Sequence, residues 1–457
     1  MSGAAQQHDE PDLLDSNSVG TEVPRTLSEP APRTLGLRDQ LSLWGNLGVS
    51  LLGFTGAVIV LQPGGPGTPR LCLLAALLAT VVGTVLGAAA IAAAAVPGAQ
   101  TGAPAMMLLR GLFGAGPSYL PTLLNVVQML GWGTFELVTI ATAAGQVLPA
   151  VPQNVFVLVG GLLTTMLAIR PLGAVRVLRR FVSVAVVLAL GYLFVQLLRS
   201  PLPALNQGGW SGFSIAVDST LAVAVSWVPM AADYARHSRS PRAAAGGALL
   251  GYSLAQVACY ALGLIALVTV AADADHVFTA LLAVPLGGLA FGVLIVRELD
   301  QSFANVYSTT VSTQNLRPAW DRRPVAIVVG VLITGLALTL DIYGYASFLS
   351  LIGSVFVPMF AVLVVDYFGF DGRTSWDLSP AARSRPLMFL PWALGFVTYQ
   401  LINPGQVGWW TSGWQSLADT IGFSAQPWMS ASLFSFAVAT LATILVHLAA
   451  RVGRYRA

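Results

Sequence analysis

Runs of apolar residues long enough to cross a bilayer recur from residue 41 to residue 450, and the arginines between them collect at every second gap. About twenty helical residues span the hydrocarbon core of a membrane, and helices satisfy their own backbone hydrogen bonds there. Spans are therefore expected at 41–62, 70–96, 118–148, 153–170, 180–198, 213–235, 246–272, 287–314, 324–341, 343–368, 386–403 and 428–450, twelve in all. The gaps test that reading independently, because cytoplasmic loops collect basic residues. Of 23 arginines, 20 fall on one side of this topology, Arg70 and Arg199 fall on the other, and Arg297 lies inside a span. Both termini are expected in the cytoplasm, and the chain in the plasma membrane. A composition that is 55% hydrophobic and 9% charged excludes a soluble domain.

Residues 1–37 are polar and lack an apolar core of their own, so they read as a disordered cytoplasmic tail. Cys72 and Cys259 sit in apolar segments and read as packing residues. The basic residues, all arginine, follow the loops without clustering, so no nucleic-acid partner is expected.

Four spans are too polar for plain anchors. In the first, "WGNLGVSLLGFTGAVIV" carries Asn46, Gly48, Ser50, Gly53 and Gly56. These residues weaken the helix and suit either a cavity or close packing. In the third, Gln128, Trp132 and Glu136 follow one another at four-residue intervals on one face. A carboxylate near the bilayer centre costs roughly 2.5–3.5 kcal/mol on insertion scales, so Glu136 faces a cavity or a partner on a neighbouring helix. In the sixth, Pro229 breaks the helix around Val225–Pro229 beside Trp227, and Asp233 with Arg236 reads as an ion pair closing its end. In the eighth, Arg297 and Asp300 stand one turn apart and can neutralise each other, while Glu298, Gln301 or Ser302, and Asn305 follow a neighbouring face.

The two irregular spans are five apart, and so are the two most polar ones. Broken helices at matching positions in two halves point to inverted repeats with a ligand and an ion near the midplane. The expected division is a first five-helix repeat over 38–198, a second over 199–368, and two additional helices with a short C-terminus over 369–457. Trp132 offers a flat face for stacking, and Glu136 accepts adjacent N–H donors from a ring edge.

The stretches "GPSYLPTLLN" (116–125), Gln128 to Trp132, "SWVPMAADYAR" (226–236) and "NVYS" (305–308) resemble the purine-cytosine permease branch of the nucleobase:cation symporter-1 family. The resemblance implies an all-α LeuT-type fold of five plus five inverted helices followed by two more. It also implies secondary active import of a nucleobase or related heterocycle by alternating access, with no enzymatic activity and no cofactor. Carried over by position, Trp132 stacks on the substrate, Glu136 with Gln128 on the same face reads its edge, the Ala224–Trp227 segment with Ser226 and Trp227 covers the other face, and Asn305 with Ser302 completes the site.

In sodium-coupled relatives the cation lies between first-helix carbonyls and eighth-helix hydroxyls, a region that here spans Gly48–Ser50 and Arg297–Gln301. Two readings of the coupling ion follow. In one, Asp300 binds sodium with the carbonyls around Gly48 and Ser50. In the other, favoured here, Arg297 supplies a tethered positive charge, Gln301 lies beside it, and Asp300 or Glu136 carries a proton. The expected partners are thus a heterocyclic substrate, a proton or sodium ion, and the lipid bilayer. An amino-acid permease of the same fold, a membrane enzyme and a channel are the alternatives. A permease for amino acids has no use for a buried acid facing the substrate carboxylate, and the four histidines form no catalytic cluster in the sequence.

Overall fold

The computed structural model describes residues 22–455 apart from 66, 174–180, 272–275 and 341–344. Arg176, Arg179, Arg180 and Arg456, four of the 20 arginines counted above on one side, lie outside the described residues, as do residues 1–21. Among the described residues the membrane segments are α1 (Leu37–Gly48) with α2 (Leu51–Leu61), α3 (Leu73–Thr101), α5 (Tyr119–Val147), α6 (Gln153–Ile169) and α7 (Ser183–Leu197). A short helix, α4 (Ala105–Phe113), joins α3 to α5. The second half comprises α8 (Phe213–Val225) with α9 (Ala231–Ala235), α10 (Pro241–Thr269), α11 (Gly287–Leu316), α12 (Arg322–Thr339) and α13 (Tyr345–Val364). Last come α14 (Phe389–Ile402), a short α15 (Gly408–Thr420) and α16 (Ala431–Tyr455).

Seven of these segments are long and apolar enough to cross a membrane, the bent pair α1–α2 makes an eighth, and α6, α7 and Pro386–Ile402 are shorter apolar helices. The 30-residue α11 is long enough but carries Arg297, Glu298 and Asp300 in its middle. Counting it gives the twelve segments expected from the sequence.

The first break lies at Val49 and Ser50, which are extended, and it turns the chain by 60°. Ser50 caps α2, its Oγ accepting the Leu52 N–H at 3.1 Å. The second break follows Val225, where Pro229 lacks the donor a continuous helix needs and a 3₁₀ turn over Val228–Met230 intervenes. The second break falls where the sequence placed it, and the first falls within the stretch that the sequence marked as irregular.

The helices sort into two bodies. Helices α1, α2, α3, α8, α9 and α10 pack chiefly on one another, while α5 packs on α6 and α11, and α12 packs on α5, α6 and α11. Close approach within the first body depends on glycine. A Cβ on Gly48 would stand 2.8 Å from the Tyr252 carbonyl oxygen, and one on Gly98 would stand 2.7 Å from Ala232 Cα. Cys72 and Cys259 are buried thiols within this packing.

The polar lead departs from the expectation of disorder over residues 22–36. Arg322 donates to the Val23 and Pro24 carbonyls and to those of Ala168 and Ile169 at the end of α6. Gln314 donates to Arg25, Glu22 accepts the Leu172 and Gly173 N–H groups, and Leu35 pairs with Ser238. Hydrogen bonding to fixed, buried groups at the ends of α6, α9 and α11 holds a segment that has too little apolar surface to order itself.

Candidate functional site

The two breaks face each other across a cavity of about 30 Å³ lined by Gly48 and Ser50 of the first break, Ser226 and Trp227 of the second, Trp132 and Glu136 of α5, and Gln301 and Asn305 of α11. The walls come from both bodies. Thirty cubic ångströms holds a water molecule and little more, so the walls must part to admit a heterocycle. A second cavity of about 510 Å³ lies towards the end of the molecule opposite the arginine-rich loops, lined among others by Gly56, Asp218, Asn403 and Tyr260. Tyr260 lines both cavities and stands between them.

Helical periodicity on α5 brings Trp132 and Glu136 to one wall, 7% and 2% exposed respectively. The edge of Phe348 packs on Trp132 with ring centroids 5.4 Å apart. One carboxylate oxygen of Glu136, Oε2, has no hydrogen-bond partner. Gln128 does not line the cavity; its amide donates to Asn125 at 2.8 Å, and Asn125 donates to Ser312. Ser302 is buried away from the cavity as well.

The ion-pair expectations require correction. Arg297 pairs with Glu298 at 2.9 Å, whereas Asp300 keeps a buried oxygen, Oδ2, without a partner and does not line the cavity. The first break explains the exchange. The Arg297 guanidinium donates to the Asn46 carbonyl at the C-terminal end of α1, and Glu298 accepts the Leu51 N–H at 3.3 Å and the Ser50 hydroxyl at 3.2 Å at the N-terminal end of α2. A cation at a helix C-terminus and an anion at a helix N-terminus each complement the local dipole. Gln301 completes the arrangement by donating to the Leu47 carbonyl at 2.7 Å and the Val49 carbonyl at 3.1 Å. The carbonyls freed by the break are thus taken by α11.

Asp233 likewise turns away from Arg236. Its Oδ1 accepts the Ala105 N–H at 2.8 Å, at the start of α4, where unpaired N–H groups favour an acid. Among the described residues no group of three or more His, Cys, Asp or Glu side chains could hold a metal ion.

Three participants escaped the sequence reading. Glu298 showed only as a member of a polar face, although its place beside Arg297 was a visible signal. Gln256 and Tyr252 of α10 line the cavity from a segment that reads as apolar; the glutamine is its one amide side chain.

Two broken helices around a shared cavity, each facing a polar helix of the other body, define a LeuT-type secondary transporter. The chain has the same fold as Mhp1, a nucleobase-cation-symport-1 family transporter solved in a closed conformation with bromovinylhydantoin bound. The likeness has a TM-score of 0.72 at 15% identity and covers 93% of this chain and 94% of that one. MhsT in complex with L-phenylalanine is also similar, with a TM-score of 0.51 at 15% identity over 89% of this chain and 97% of that one. No match was found among curated protein sequences. Residues 30–375 match the family of permeases for cytosine and purines, uracil, thiamine and allantoin, and the chain belongs to that family. It is a multi-pass membrane permease of that family, and not an enzyme.

Proposed function

We propose that this transporter imports an amino-bearing planar heterocycle across the plasma membrane, with both termini in the cytoplasm, and that a proton is the coupling ion. The observation that carries the substrate reading is the joint presence of Trp132 and Glu136 on the wall of one buried cavity. The indole supplies a stacking face and the carboxylate accepts a pair of N–H donors from the ring edge. Trp227 and Ser226 close the site from the second break, and Asn305 offers a donor and an acceptor from α11.

The proton reading rests on the first break. Arg297 and Gln301 already occupy the Asn46, Leu47 and Val49 carbonyls, near the position at which the sequence reading put sodium. A sodium ion bound there with Gly48, Ser50 or Asp300 would have to displace a guanidinium. Glu136 lies against Glu298, and two facing carboxyl groups stand together readily when they share a proton. Arg297, Glu298 and Gln301 belong to one body and the break they hold belongs to the other. Gain or loss of a proton at this carboxyl pair therefore changes how firmly α11 grips the first broken helix, which is the contact that rocking of one body against the other must remake.

Uptake of radiolabelled cytosine, adenine, guanine and hydroxymethyl-aminopyrimidine by permease-deficient cells tests the substrate reading. Accumulation of one of them, abolished by Glu136→Gln and by Trp132→Ala at unchanged surface expression, is the expected result. Normal transport by Glu136→Gln would remove the carboxylate from the site. For the ion, uptake into proteoliposomes should follow a pH gradient and persist when choline replaces sodium; strict sodium dependence would overturn the proton reading.

A further inference from the structure

Gln256 on α10 lines the central cavity and is 2% exposed. Its amide nitrogen donates to Thr84 Oγ1 and to the Thr220 carbonyl, each at 2.9 Å. A carbonyl only accepts, so the amide is fixed in this orientation; turning it over would set two oxygens against each other. Its Oε1 is left buried without a partner. Gln301 is in the same state: its nitrogen is held by the Leu47 and Val49 carbonyls and its Oε1 has no partner. With Glu136 Oε2, three residues of one cavity thus present buried oxygens that lack donors.

Three neighbouring hydroxyls, by contrast, are committed to the protein. Ser50 donates to Glu298, and Ser226 and Tyr252 both donate to the Val223 carbonyl. A buried acceptor without a donor carries a desolvation penalty. An occupant that brings N–H groups removes that penalty, and one that brings further carbonyls leaves it standing.

We propose that Gln256 is a specificity-determining residue that accepts a second N–H of the substrate, and that with Glu136 and Gln301 it selects amino-substituted heterocycles over their oxo counterparts. This deepens the proposed function and rests on a heterocycle occupying the same cavity. Exchange of an amino group for an oxo group turns a donor into an acceptor, and an oxygen then faces an oxygen. Because Gln256 belongs to one body and Glu136 and Gln301 to the other, a substrate with donors on two edges bridges both.

The test uses the full chain in proteoliposomes, with competition for uptake measured for cytosine against uracil and guanine against xanthine. The same measurement is then made for cytosine against 1-methylcytosine and guanine against 9-methylguanine, where methylation removes a donor from the edge far from the amino group. In the natural protein the amino member of a transported pair should be preferred by about 100-fold or more, as expected when a site built for hydrogen bonding meets the wrong partner. Methylation should cost about tenfold or more in the natural protein and nothing further in Gln256→Met. If Gln256→Met does not reach the membrane, Gln256→Asn, which draws the oxygen back by one methylene, should show the same loss of discrimination. A methylation penalty that is equal in the natural protein and the variant, or equal transport of amino and oxo members, overturns the proposal. General damage to the fold would weaken both members of a pair alike. Absence of uptake for every heterocycle would reject the proposed function itself, a result distinct from either of these.

Discussion

Arg297 joins α11 to the end of α1 at the first break. It is 0% exposed, paired with Glu298 and bound to the end of α1. Removing one member of a buried ion pair costs about 3–5 kcal/mol, because the remaining charge is left uncompensated. Arg297→Ser should therefore lower thermal stability by several degrees and reduce uptake at least tenfold. It also frees the Asn46 carbonyl and leaves Glu298 in place, which is the environment a small cation needs. Sodium, and not choline, should then restore part of the activity and stability of Arg297→Ser while leaving the natural protein unaffected; equal behaviour in the two salts would mean that the guanidinium does not stand in for an ion. The polarity of this neighbourhood was legible in the sequence, but its pairing was not. Helical spacing favoured Arg297 with Asp300. The dipoles of two half-helices that meet at the break, contributed by residues about 250 positions away in the chain, favoured Glu298 instead.

At the scale of elements, the strap formed by residues 22–36 ties the ends of α6, α9 and α11 together. His237 lies at its centre, buried, with one ring nitrogen bonded to the Pro32 carbonyl at 3.0 Å and the other 3.4 Å from the Tyr307 hydroxyl. Burial, reinforced by the neighbouring Arg236, pushes its pKa down from 6.5 to about 3. The unfolded chain therefore takes up a proton before the folded one does, and the stability held above pH 6.5 is lost progressively as pH falls towards 3. Protection of residues 22–36 from hydrogen exchange should decline between pH 7 and pH 5, and His237→Gln should flatten that decline. Protection that stays constant over this range would show that His237 does not govern the strap. Polar composition alone suggested disorder here, because the partners that hold the segment, Arg322 and Gln314, lie 289 to 299 positions further along the chain.

Taken as a whole, the molecule carries its arginine-rich loops at one end and the larger cavity at the other. The proposed orientation makes a simple prediction for a cysteine-free background. Ser384→Cys, between α13 and α14, should react with a membrane-impermeant thiol reagent only from the cytoplasmic side, and Ser424→Cys, between α15 and α16, only from outside. Both positions are exposed. Labelling of the two from the same side would reverse the topology. The division into repeats over 38–198 and 199–368, with two further helices over 369–457, makes the same claim about the axis relating the halves.

The sequence by itself determined the number of membrane segments, the irregularity of the first span, the position of the second break and the wall bearing Trp132 and Glu136. Each of these is written in local periodicity, proline and glycine placement, or the cost of burying charge in lipid, all of which act within one or two helical turns. Only the tertiary structure decided that Gln128 and Ser302 do not line the cavity, that Gln256 does, and that Arg297 reaches α1 and Glu298 reaches α2. Those outcomes depend on how two bodies of helices approach each other, and the hydrogen-bonding groups that settle them are brought together by packing between segments distant in the chain.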